Sequence, residues 1–122
     1  MFNHRDRDYL GDIREAIMRI LDYSKDQDYR SFLKDIKTQD AILRNLEVIG
    51  EAAKKISSKL KNENPKIPWK NMAGLRDKLI HHYFGIKHEI IWKVKKELPK
   101  ILDLIDDMLK KIPKINNSFR AK

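Results

Sequence analysis

In Asp40-Ala41-Ile42-Leu43-Arg44-Asn45-Leu46-Glu47-Val48-Ile49-Gly50-Glu51-Ala52-Ala53-Lys54-Lys55-Ile56-Ser57-Ser58-Lys59-Leu60-Lys61 the apolar residues return every three or four positions. Ile42, Leu43, Leu46, Ile49, Ala53, Ile56 and Leu60 fall on one stripe of a 3.6-residue helix. A strand would alternate with period two, and nothing here does. The spacing predicts one long amphipathic helix, starting at Thr38 or Asp40 and holding to about Lys61. Gly50 costs such a helix about 1 kcal/mol relative to alanine, which suggests close approach by another helix. Arg44, Asn45, Glu47 and Glu51 read most simply as its solvated face.

The same period recurs on both sides. Leu10, Ile13, Ile17, Ile20 and Leu21 predict a first helix over about 7–23, followed by the polar link Ser24-Lys25-Asp26-Gln27-Asp28. Ser31 is placed to cap a short helix through Phe32, Leu33 and Ile36. Residues 62–68 read as a loop, with Pro68 as a first-turn residue of a fourth helix from Trp69 to Ile80 or Tyr83. Gly85 is suited to end that helix. A last helical region spans His88 to Lys111, with Pro99 expected to break or kink it. The fold class is all-α, an antiparallel bundle of four to five helices. Residues 1–112 form the helical domain, and 113–122 a basic tail expected to fray.

Composition narrows the chemistry. The chain has 122 residues, enough for one domain with a modest core. With 27 Lys and Arg against 18 Asp and Glu, the net charge is +9. Such an excess suits polyanionic partners such as nucleic acid or acidic proteins, although a lysine-rich solvated surface gives the same number. The absence of cysteine excludes disulfides, thiolate catalysis and cysteine-ligated metals. The polar start and the lack of any long apolar run predict a cytoplasmic protein with no membrane partner. No glycine-rich phosphate loop is present, so direct ATP hydrolysis is not expected.

The chemically informative segment is Gly74-Leu75-Arg76-Asp77-Lys78-Leu79-Ile80-His81-His82-Tyr83-Phe84-Gly85. It reads Arg-x-x-x-x-His-x-Tyr. A guanidinium holds phosphate through a planar fork of donors, and an imidazole exchanges protons near neutral pH. On a regular helix Arg76 and Tyr83 share nearly one face, but His81 is turned from Arg76 by roughly 140°. Both can meet one phosphate if the helix loosens near His81 or if a second subunit supplies the partner group. Asp77 either orients Arg76 or a histidine, or stands as an exposed helix acid. His81 and His82 point apart on a helix and make a poor metal pair, so no metal and no cofactor is expected. His4 and His88 read as surface or capping residues, and Trp69, Phe84 and Trp92 as core.

This segment resembles the signature of the HepT toxins, within the HEPN superfamily of all-helical RNA-cleaving domains. The likeness extends to Arg44–Ala53, to Ile67–Arg76, and to Phe84-Gly85, Trp92 and Leu98-Pro99 in order, covering roughly Asp6 to Lys111. The family's polar residue after the arginine is Asp77 here. The resemblance implies a homodimer and a metal-independent endoribonuclease toxin with Arg76 and His81 as catalytic residues and Asp77 in support. It also implies a partner, a minimal nucleotidyltransferase antitoxin, that attaches AMP units to Tyr83. The alternative is a non-catalytic helical subunit that binds nucleotide or substrate for a nucleotidyltransferase. A DNA-binding role is disfavoured, since no helix-turn-helix spacing is evident.

Overall fold

Why the chain bends where it does is set by polar caps, and what it buries is set by the apolar stripes. The computed structural model describes residues 4–81 and 88–112, and within these not the side chains of His4, Arg76, Leu79, Ile80 and His81. Its elements are α1 (His4–Ser24), α2 (Tyr29–Leu33), α3 (Ile36–Lys55), α4 (Ser58–Glu63), α5 (Trp69–His81) and α6 (His88–Lys111). Every element among the described residues is helical.

Helix α3 lies between α1 and α5, α6 packs on α1, and the short α2 touches both α3 and α6. The start of α1 meets the end of α6: Arg7 donates to the carbonyls of Leu109 and Ile112 at 3.1 and 3.0 Å. Two turns further along α1, Arg14 pairs with Asp106 at 2.6 Å. The two helices therefore run antiparallel, and Arg7 satisfies carbonyls that the end of a helix leaves unpaired.

The predicted face of α1 is the core. Leu10, Ile13, Ile17 and Ile20 are fully buried, against Ile42, Leu46, Ile49 and Ala53 of α3 and Ile105 of α6 within the same cluster. Each such side chain contributes about 1.5–3 kcal/mol on leaving water. Trp69 and Trp92 are core residues, as read from the sequence.

Several boundaries differ from the expectation. The long helix does not run to Lys61. It ends at Lys55, Ile56 turns extended (φ −66°, ψ 139°), and Ser57 caps a separate α4. The apolar rhythm persists across the break because Ile56 and Leu60 both return to the core. The break raises the count to six helices among the described residues. The cause is Asp6, buried in α1, whose carboxylate accepts from the Ser57 amide at 2.8 Å and its hydroxyl at 2.6 Å.

Ser31 is not the cap of α2. Asp28 is, accepting from the Ser31 amide at 2.9 Å while Ser31 Oγ accepts from the Asp28 amide at 3.1 Å. Likewise Asp35, rather than a later residue, caps α3, accepting from the Thr38 amide and hydroxyl at 3.0 and 2.7 Å. Pro68 stands just ahead of α5, its carbonyl accepting from the Met72 amide. Helix α6 continues through Pro99. That ring is exposed while Leu98 beside it is buried, so the carbonyl left without a donor lies on the solvent side. Gly85 lies outside the described residues.

Candidate functional site

Helix α5 carries the Arg-x-x-x-x-His segment, and its packing fixes which side of the helix each position occupies. Trp69 and Met72 are buried. The indole Nε1 of Trp69 donates to the Asn64 carbonyl at 3.0 Å, anchoring the helix start. Position 76 falls four residues after Met72 and seven after Trp69, on the register of the inward face. Position 81 falls four after Asp77 and seven after Gly74, both exposed. The backbone stays α-helical through His81. The roughly 140° between the two positions therefore stands, and loosening before His81 does not occur. His82, Tyr83 and Phe84 lie outside the described residues.

Asp77 accepts from Lys54 Nζ at 2.9 Å, which joins α5 to α3 beside the Arg76 position. Both side chains are about half exposed, 52% and 41%, so the pair adds little stability, on the order of 0–1 kcal/mol. Its effect is positional. Nothing in the sequence marks Lys54 as a partner, because the two lie 23 residues apart.

The outward side of α5 forms an open groove with α6, about 540 Å³, lined among others by Gly74, Asp77, Lys78, Ile90 and Val94. Ile90 is 41% exposed, whereas Ile91 is buried. The His81 position continues the same outward register. The groove thus offers an apolar floor with a lysine and a carboxylate at its edge.

The solvated face expected for α3 is present. Arg44, Glu47, Glu51 and Lys55 line a polar hollow of about 290 Å³ with Tyr9 and Asp12 of α1, and Arg44 lies 3.5 Å from Glu47. Asn45 is the exception, buried and donating to the Ala41 carbonyl at 2.9 Å. On α6, Lys95 Nζ sits 4.1 Å from the centre of the Trp92 ring. Burial, and then the neighbouring Lys96 charge, lowers its pKa below the ordinary lysine value. His88 is exposed, its ring edge-on to Phe32 at 6.0 Å. Among the described residues no cluster of three or more His, Cys, Asp or Glu is placed to hold a metal ion. Among them, too, no helix is long and apolar enough to cross a membrane.

The chain is similar to known proteins along most of its length. The family described as "Ribonuclease HepT-like" matches residues 13–108. A Methanocaldococcus jannaschii protein named "Putative RNase MJ0127" is 50% identical over 107 residues, 84% of this chain and 88% of the relative. A Thermococcus cleftensis protein named "Probable ribonuclease HepT" is 48% identical over 96 residues, 78% and 87% of the two chains. From Caldanaerobacter subterraneus, "Putative RNase TTE0752" is 38% identical over 106 residues, 86% and 95%. No solved structure matches the chain. A match that runs from α1 into the last turns of α6, and contains Arg76, Asp77, His81 and Tyr83, makes this chain a member of the HepT-like ribonuclease family.

Proposed function

We propose that the protein is a metal-independent endoribonuclease, the toxin of a pair whose antitoxin is a minimal nucleotidyltransferase. The observation that carries this reading is the placement of Arg76 and His81 on one regular helix in a chain of this family. Cleavage uses the substrate's own 2′-hydroxyl as nucleophile. One base removes its proton, the oxygen attacks the adjacent phosphorus, and an acid protonates the departing 5′-oxygen. The products are a 2′,3′-cyclic phosphate and a 5′-hydroxyl. Arg76 stabilises charge on the non-bridging phosphoryl oxygens.

The angle between positions 76 and 81 favours a homodimer in which two α5 helices meet. Two Arg76 and two His81 then share one cleft, with one imidazole neutral and the other protonated. Asp77, held toward Lys54, supports the cleft from its edge. Tyr83, two residues past His81, is the site where AMP is added. A phosphodiester there carries negative charge into the place of the substrate phosphate.

Incubation of the purified protein with RNA, with and without EDTA, followed by end-group analysis of the fragments, tests the reading. Cleavage that persists in EDTA and leaves cyclic phosphate ends is expected. Activity lost in EDTA and restored by magnesium overturns the mechanism. Sedimentation at micromolar concentration tests the dimer, which a monomer of unchanged activity overturns.

A further inference from the structure

The charge of this chain is unevenly spread. Residues 54–100 carry thirteen lysines and arginines against four acids, whereas residues 1–53 carry nine against eleven. The basic excess thus surrounds α5 and enters the first half of α6. There, exposed Lys93, Lys96 and Lys100 follow one another at helical spacing on one side.

Beside that row lies an aromatic cluster at the junction of α2 and α6. Phe32 is fully buried and 5.0 Å from the Trp92 ring. Tyr29 lies on the outside, 6.5 Å from Phe32 and 6.0 Å from Trp92, and is only half-buried. Lys95 covers Trp92 from another side. An open groove of about 320 Å³ is lined by Tyr29, Glu89, Trp92, Lys93 and Lys96. Its wall is aromatic and its rim carries two lysines against one acid.

We propose that this groove is a subsite for a single-stranded stretch of RNA. One unpaired base lies on the Tyr29 ring, and Lys93 and Lys96 hold the phosphates flanking it. The proposal rests on the ribonuclease reading and extends it to where substrate beyond the cut is held. A ring stacks on any base, and lysines track any backbone, so the subsite is tolerant of sequence. Glu89 sits in the first turn of α6, where the helix dipole favours an acid, and can accept from a base amino group.

The test is fluorescence anisotropy with a labelled, single-stranded 2′-O-methyl oligoribonucleotide, which lacks the nucleophile and cannot be cut. The double variant Lys93→Gln/Lys96→Gln is expected to bind about 10-fold more weakly near 0.1 M salt. Its salt dependence should flatten by about 0.7 per lysine lost. Lys110→Gln/Lys111→Gln, which removes the same charge from the far end of α6, should change affinity less than about twofold. Tyr29→Leu should weaken binding about fivefold or more, and Tyr29→Phe, which keeps the ring, should bind as the parent does.

Equal losses for the two lysine pairs, or an unaffected Tyr29→Leu that melts normally, overturn the subsite. Polyglutamate that binds as tightly, with the same dependence on Tyr29, assigns the surface to acidic peptide and overturns it too. Because the probe is uncleavable, the two readings separate. A protein that binds through these residues yet cuts no RNA keeps the subsite and loses the nuclease. One that cuts RNA while the Lys93/Lys96 variant binds unimpaired keeps the nuclease and loses the subsite.

Discussion

The buried carboxylate of Asp6 accepts from both the amide and the hydroxyl of Ser57, 51 residues later in the chain. The contact ends α3, starts α4 and ties both to α1. Asp6→Ala strands the Ser57 amide without its acceptor and removes two charge-assisted hydrogen bonds. A loss of about 2–3 kcal/mol is expected, seen as a melting temperature lower by about 10 °C. A variant that melts with the parent would show that the contact forms without holding the junction.

His81→Ala should lower RNA cleavage about 100-fold or more by removing proton transfer. Arg76→Ala should cost a comparable factor through lost charge stabilisation. His82→Ala should matter far less. Initial rates on one RNA, with folding checked by circular dichroism, decide the assignment. Equal losses at His81 and His82 would undo it.

Tyr83→Phe removes the oxygen that would accept AMP and keeps the ring. The variant should fold, retain much of its nuclease activity and escape enzymatic neutralisation. Intact mass spectrometry after incubation with the nucleotidyltransferase and ATP gives the readout. AMP adducts that persist on Tyr83→Phe place the acceptor elsewhere.

The caps make stability depend on acid. The pKa of Asp28 is lowered chiefly by the Ser31 amide, and that of Asp35 chiefly by the Thr38 hydroxyl, both from 3.8. A depressed carboxyl stabilises the folded state fully above its unfolded value. That contribution fades as pH falls through the lower folded value. In Asp28→Asn/Asp35→Asn the acceptors remain but the titration is gone. Its melting temperature should therefore fall less than the parent's between about pH 5 and pH 2. Parallel curves for the two proteins would contradict the cap assignment.

The faces of α1 and α3 were legible in the sequence because Leu10, Ile13, Ile17, Ile42, Leu46 and Ile49 repeat at the helical period and are all buried. The break at Ile56 was not, since apolar spacing continues across it and its cause sits 51 residues away. Ser31 was read as the cap because it is one half of a reciprocal pair, and the sequence shows both halves without ranking them. Pro99 was read as a break or a kink because a missing amide is local, while the exposure that lets the helix run on is tertiary. At the candidate site, the segment from Arg76 to Tyr83 was picked out by residue type alone. Lys54 beside Asp77 and the aromatic wall of Tyr29 and Trp92 come from helices that meet only on folding.

The grip of Arg7 on the carbonyls of Leu109 and Ile112 joins residues 102 and 105 positions apart. On a translating ribosome, the first helix therefore emerges with one flank open and keeps it open until the last turn of α6 clears the exit tunnel. The motif helix is made well before that moment, inside a bundle not yet closed. Closure thus waits for the last turn of α6, and whatever the folded domain does to RNA waits with it.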